Sequence, residues 1–269
     1  MPGLDTMEES KVKHILLFGP PKSGKTELAG RLTEAGFKLV WFDLENGRDT
    51  LFKLAKEHQK NIDMLAIPDT RGYPIAIETC LKSVTVGVHY ICTEHGKVKC
   101  AKCMDIKISK AKEGKEITPI DLYNMPEDHI VVFDSLTQLT NSAIANITRN
   151  KPDDYKMQHD DWSALGKVMD TFLSYVQNAP FHVVCISHET AVDMQDGKEK
   201  LVATAGTRNF SRNSAKYFGE VVYCEVVNKN HVFASSTVYK NNVLTGSRSG
   251  AKLEDVKKGE TPRLASVFK

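Results

Sequence analysis

Eight residues near the start of the chain constrain most of its fold. Gly19-Pro20-Pro21-Lys22-Ser23-Gly24-Lys25-Thr26 has the spacing GxxxxGK[ST]. The apolar run HILLF at 14–18 precedes it and reads as a buried parallel strand. Residues 26–35 carry Leu28 and Leu32 four apart and stop at Gly36, which reads as a helix. A strand that turns through glycines into a helix offers backbone N–H groups and the positive helix end to an anion. In such a loop Lys25 reaches the β- and γ-phosphates and the Thr26 hydroxyl holds Mg²⁺. Pro20 and Pro21 have no N–H, so the cradle must come from Lys22, Ser23, Gly24, Lys25 and Thr26. The motif works at the end of a parallel strand whose sheet is covered by helices, and this predicts an α/β fold.

The rest of the chain keeps that rhythm. Strands are expected at 38–43 (KLVWFD), 63–67 (DMLAI), 130–133 (IVVF) and 182–186 (HVVCI), and helices at 51–58, 75–84 and 162–177. A terminal hairpin is expected from VVYCEVV, beginning at 221, and SSTVYK at 235–240. Two stretches interrupt the alternation. Residues 86–127 hold a Cys/His cluster and a charged run, and 188–213 are polar. Loops this long inside one domain are usually functional or disordered. With 269 residues, the expectation is a single domain over 1–269 with an insertion at 86–127.

Charge decides little. The formal net charge is +2, which neither demands nor forbids a nucleic-acid partner, so local patches must carry that case. No apolar run nears the 18 or so residues of a membrane span. The acidic start, 1–10, lacks a signal peptide's basic and apolar regions, so a cytoplasmic protein is expected.

Two carboxylate positions stand out. Asp134 follows four apolar residues, at the tip of a buried strand, where a carboxylate can join the Mg²⁺ shell. WFDLE ends the second strand with Asp43 and Glu45. Glu45 is a candidate general base for an attacking water, and a capping or solvated pair is the alternative. His188, just past the strand at 182–186, is placed either to touch the γ-phosphate or as an ordinary surface histidine.

Cys92-x₂-His95-x₄-Cys100-x₂-Cys103 supplies three thiolates and an imidazole, the donor set of a tetrahedral structural Zn²⁺. The paired x₂ spacings are those of a zinc knuckle. The alternative is a loop of free thiols.

The phosphate loop, FDLENGRDTLFKLA, MLAIPDTRGYPIAIETC, IVVFDSLTQLT and VVCISHE succeed one another as the segments of RecA-type recombinases do. Over residues 12–245 the chain resembles that family. The likeness is greatest to small phage-encoded RecA-like ATPases (Sak-type, RecA core only), some of which are single-strand annealing proteins. The resemblance implies a RecA-like P-loop core with a mainly parallel β-sheet, plus a small Cys/His zinc-binding insertion. It places the strand before His188 between the phosphate-loop and Asp134 strands. It makes Glu45 the catalytic glutamate and Asp134 the metal-site aspartate, and puts Asp49 and Phe52 at adenine. His188 falls where the family has a γ-phosphate-sensing glutamine.

The family's two DNA-binding loops correspond to 146–161, with Arg149, Lys151 and Lys156, and to 189–213, with Lys198, Lys200, Arg208, Phe210 and Arg212. Basic residues around an aromatic suit single strands, and a solvated loop is the alternative. The family also completes its site from a neighbouring subunit, for which Lys240 and Arg248 are the candidates here, or else exposed surface charges. The implied function is a DNA-stimulated ATPase that binds single-stranded DNA and promotes annealing or recombination. It would work as a ring or filament, in the host bacterial cytoplasm if phage-encoded, and with a single-strand-binding protein as a possible partner. The alternatives are a P-loop small-molecule kinase and a non-hydrolysing ATP-dependent regulator.

Overall fold

The computed structural model describes residues 11–67, 69–98, 117–194, 197–235, 240–248, 250 and 264–268. In chain order the strands and helices are β1 (His14–Gly19), α1 (Lys25–Gly30), β2 (Lys38–Asp43), α2 (Arg48–Leu51), α3 (Lys56–Gln59), β3 (Ile62–Ala66), α4 (Ala76–Ser83), β4 (His89–Cys92) and β5 (Ile117–Ile120). Then come β6 (His129–Asp134), α5 (Leu136–Ile147), α6 (His159–Gln177), β7 (His182–Asp193), β8 (Glu199–Ala203), α7 (Arg208–Asn213), β9 (Glu220–Val227), β10 (Asn230–Ala234) and β11 (Gly246–Ser247).

The main sheet runs β10-β9-β1-β7-β6-β2-β3, with β8 added to β7 and β11 to β9. The five contacts from β9 across to β3 are parallel, and β10, β11 and β8 join antiparallel. This is a mixed, mostly parallel sheet flanked by helices, a P-loop α/β core. The β7 strand that leads to His188 lies between the phosphate-loop strand β1 and the Asp134 strand β6, the order expected from the sequence.

The central strands are apolar on both faces because both faces are covered. Leu16, Phe18, Val40, Phe42, Val131 and Phe133 point one way, into a core shared with Leu139, Leu165, Met169 and Phe172 of α5 and α6. Ile15, Leu17, Leu39, Trp41, Ile130 and Val132 point the other way, against Leu28 and Leu32. Leu264, Ala265 and Val267 of the terminal 3₁₀ turn close that second face.

Several elements differ from expectation. The helix after the phosphate loop is α only to Gly30. Residues 31–35 tighten into a 3₁₀ turn, where the Thr33 hydroxyl donates to the Gly30 carbonyl. The helix expected at 51–58 is two short ones, parted where Ala55 goes extended (ψ 147°). The hairpin turns at Asn228 and Lys229, both with positive φ, and its return strand is Asn230–Ala234, while 236–239 of the strand expected at 235–240 lie outside the described residues. The polar stretch at 188–213 is built structure. It continues β7 to Asp193 and contains β8 and α7. Helix α5, which sequence reading did not anticipate, starts at a Ser135 cap whose hydroxyl accepts from the Gln138 N–H. In the insertion, β4 and β5 pair antiparallel as a separate two-stranded sheet.

Candidate nucleotide site

The parallel register brings the carboxyl ends of β1, β2 and β6 level with His188 of β7. Gly19 sits beside His188, and Asp43 beside Asp134. Crevices at such strand ends are where open α/β sheets bind ligands. A cavity of about 480 Å³ lies there, lined by Lys22–Glu27 of the loop together with Glu45, Asp134, Ser135 and His188.

The loop is held by its own lysine. Lys25 is buried, and its Nζ donates to the carbonyls of Gly19 (2.9 Å) and Pro20 (2.7 Å). Burial lowers the ammonium below its usual pKa, opposed by the nearby carboxylates of Asp134 and Glu45. The Thr26 hydroxyl donates to Asp134 Oδ2 at 3.0 Å. Asp134 is fully buried and pushed up to about 7, first by burial and then by the Glu45 charge, with Asp43 adding to it and the Thr26 bond opposing.

Asp43 is 2% exposed. Its Oδ1 accepts from the Gly47 N–H at 2.8 Å, which shapes the turn that carries Glu45. Its buried Oδ2 has no hydrogen-bond partner among the described residues. Carboxylates and a hydroxyl form an all-oxygen donor set, and an orphaned buried carboxylate oxygen beside them favours a hard divalent cation such as Mg²⁺. The residues fit that ion.

Glu45 is fixed from two sides. The Ser135 hydroxyl donates to Oε1, and His188 Nε2 lies 3.5 Å from Oε2. Burial pushes this carboxyl up, but the bonds from His188 and Ser135 outweigh it and leave Glu45 below the ordinary glutamate range. An ionised carboxylate that faces the phosphate loop can accept a proton from water. His188 is placed in turn by Thr137, whose Oγ1 accepts the His188 backbone N–H at 2.9 Å.

The other residues expected from the sequence lie in varied company. Phe52 is 62% exposed, while Thr50 and Lys53 beside it line the cavity and Asp49 does not. Arg149, Lys151, Lys198 and Arg208 are exposed, with Lys151 over the Tyr155 ring at 5.0 Å. Phe210 packs on the core and stacks with Tyr217 at 6.0 Å between ring centroids. Lys240 pairs with Glu225 of its own chain at 2.6 and 2.7 Å. Arg248 donates to the Lys216 carbonyl at 2.9 Å.

Cys92 Sγ lies 3.4 Å from His95 Nδ1, in a turn closed by Gly96 N–H to the Cys92 carbonyl. Cys100 and Cys103 lie outside the described residues. Among the described residues no group of three metal-binding side chains occurs. Sequence reading missed Ser135, Thr137 and His231 as parts of the site. Only Ser135 left a signal, since it directly follows Asp134 as a helix cap.

Residues 11–249, nearly the whole of this arrangement, match the family described as AAA domain. The chain belongs to the AAA domain family. Three solved structures resemble this AAA domain at low identity. The RadB recombinase is 14% identical with a TM-score of 0.43, covering 82% of this chain and 79% of that one. A KaiC-like protein from Pyrococcus horikoshii is 11% identical with a TM-score of 0.39, covering 82% and 77%. The flagellar accessory protein FlaH from Methanocaldococcus jannaschii is 11% identical with a TM-score of 0.41, covering 90% and 82%. No curated protein matches this AAA domain. Among the described residues no helix is long and apolar enough to cross a membrane.

Proposed function

We propose that this AAA domain hydrolyses ATP, binds single-stranded DNA and promotes annealing or pairing of strands. The observation that carries the ATPase reading is the meeting of Lys25, Thr26, Asp134, Glu45 and His188 around one cavity. Four separate segments supply those five side chains.

In this reading Lys25 leaves the loop carbonyls for the β- and γ-phosphate oxygens. Thr26 and Asp134 hold Mg²⁺ with Asp43 behind them, and the ion when bound offsets phosphate charge. Glu45 orients a water in line with the γ-phosphate and accepts its proton. Ser135 keeps that carboxylate aimed. His188 contacts Glu45 and registers the presence of the γ-phosphate, and Phe52 with Asp49 packs against adenine.

The DNA reading rests on the exposed basic residues Arg149, Lys151, Lys198 and Arg208 together with Lys156, Lys200 and Arg212. Such groups neutralise a phosphate backbone. Phe210 joins them by leaving its stack on Tyr217. The protein acts as a homo-oligomer, ring or filament, in which Lys240 or Arg248 leaves its own-chain partner to reach a neighbour's γ-phosphate. A single-strand-binding protein is the natural further partner.

The test is phosphate release with and without single-stranded DNA. The expected result is Mg²⁺-dependent hydrolysis stimulated at least about tenfold, with a stimulation that fades as salt rises because phosphate contacts are screened. Hydrolysis that ignores DNA, in protein that fails to shift a labelled oligonucleotide, overturns the DNA reading. Phosphoryl transfer to a small acceptor would make the protein a kinase. Binding without turnover would make it a regulator.

The insertion is proposed to hold a structural Zn²⁺ through Cys92, His95, Cys100 and Cys103. Elemental analysis of purified protein should give about one zinc per chain, as four protein ligands complete a tetrahedral site. Cys100→Ser should release it and raise proteolytic sensitivity within 86–127. Folded wild-type protein without zinc would rule the site out.

A further inference from the structure

His231 belongs to β10, far from the phosphate loop in sequence, yet its ring rests on that loop. Nδ1 lies 3.0 Å from the Ser23 carbonyl oxygen. The contact is so close that a Cβ at Gly24 would sit 2.8 Å from Nδ1 and 3.3 Å from Cε1. Behind the imidazole, Phe233 lies parallel, with centroids 6.4 Å apart and planes 7° apart. Phe233 is buried in the sheet's second core, so the ring is mounted on a rigid element.

A carbonyl oxygen only accepts, so Nδ1 carries the proton in this contact. That fixes the chemistry of the other nitrogen. In the neutral ring Nε2 is a lone pair, and in the charged ring it is a donor. The ring lines the same cavity as Lys22, Lys25 and Thr26, and no hydrogen bond engages Nε2 among the described residues. The loop as a whole offers fewer backbone donors than its length suggests, because neither Pro20 nor Pro21 has an N–H.

We propose that His231 is a nucleotide-binding residue that takes up a proton as the polyphosphate arrives. Nδ1–H stays on the Ser23 carbonyl while Nε2–H donates to a phosphate oxygen of a nucleoside di- or triphosphate. The proton comes from solvent, and the phosphate charge holds it on the ring. The inference rests on the nucleotide reading of this cavity. The other charged and titratable groups around the ring are Lys22 and Lys25 of the loop, Glu27 of α1 and Lys53 after α2. Glu45, Asp134 and His188 stand across the cavity, and Glu225 lies on the paired strand β9. The incoming phosphates bring the negative charge that holds a proton on Nε2.

Calorimetry of ADP and of a non-hydrolysable ATP analogue tests this, run with Mg²⁺ in two buffers of different ionisation enthalpy at several pH values. His231→Asn keeps a donor near the Nδ1 position, so it preserves the contact with Ser23, but nothing replaces Nε2. His231→Gln places an uncharged donor near Nε2. The wild type should take up a fraction of a proton that both variants lack. His231→Asn should bind about tenfold or more weakly below neutral pH, the scale of one charge-assisted hydrogen bond. That loss should shrink at alkaline pH. His231→Gln should recover part of the affinity without the pH dependence. Thermal midpoints close to the wild type separate this from simple unfolding, and the affinity of any folded variant still decides the matter. If the wild type binds and His231→Asn binds equally tightly with the same proton uptake, this inference alone is overturned. If the wild type binds no nucleotide, the nucleotide site itself is overturned, and this inference with it.

Discussion

Glu45→Gln should cut ATP turnover by on the order of 10²-fold or more, as loss of a general base does, while nucleotide affinity stays within a few-fold. The substitution is nearly isosteric. A glutamine carbonyl still accepts the Ser135 hydroxyl that now bonds Oε1, so the turn at 44–47 keeps its place. What disappears is the basic oxygen. At present burial works against the charge on Glu45, and the contacts from Ser135 and His188 restore it. An amide has no corresponding ionised form. Removing the charge also relieves Asp134, which Glu45 helps to push up to about 7, so cation and nucleotide binding should not suffer. Steady-state phosphate release gives the turnover, and titration with a fluorescent nucleotide gives the affinity. Near-normal hydrolysis by the variant would remove Glu45 from the mechanism. Weakened binding with proportionate loss of turnover would make it a binding residue instead.

The features that chain order can encode were legible in advance. The phosphate loop and the strand ends at Asp43 and Asp134 follow from short apolar runs and a fixed motif, while the place of β7 between β1 and β6 came from the resemblance to RecA-type recombinases. The alternation of strands with helices also foretold a sheet with two buried faces, and Leu16 and Phe18 serve one core while Ile15 and Leu17 serve the other. Register between distant segments was not legible. The hairpin's return strand at Asn230–Ala234 was set by Asn228 and Lys229 adopting positive φ, a turn that no apolar run announces. That turn is what brings His231 to Ser23. No local pattern marks such a contact. The polar segment at 188–213 read as an open loop because polarity alone cannot show that Val192 and Val202 are buried as β7 and β8 pair. The four residues expected to bind zinc sit at the opposite limit, since their spacing is explicit and only two of them lie among the described residues.

Gly19→Ala should lower stability by about 3 kcal/mol or more, combining backbone strain with overpacking in a closed core. Gly19 ends β1 at φ +148°, a conformation that side-chain-bearing residues rarely adopt. An added Cβ would lie 1.9 Å from the carbonyl oxygen of Cys224 and 3.0 Å from its carbonyl carbon. That neighbour is backbone of the buried strand β9, which is paired in parallel to β1. It cannot rotate away as a side chain can, so relief requires parting two central strands. A loss of this size is a large share of the about 5–15 kcal/mol that holds a typical domain together. It corresponds to a fall of roughly 6–12 °C in melting midpoint for a domain of this size. Gly36→Ala is the internal control. Gly36 also has positive φ, +95°, but nothing lies within 4 Å of its added Cβ, so it should lose only about 1–2 kcal/mol, the left-handed penalty alone. Nucleotide binding should fall with Gly19→Ala as well, because Gly19 ends β1 and opens the phosphate loop, so displacing it misplaces the N–H groups that follow. Thermal and denaturant unfolding of both variants measures the difference. Equal losses for the two would show that the approach of β9 to Gly19 is not a rigid constraint, and that the first glycine of the loop is required for its dihedral angles alone.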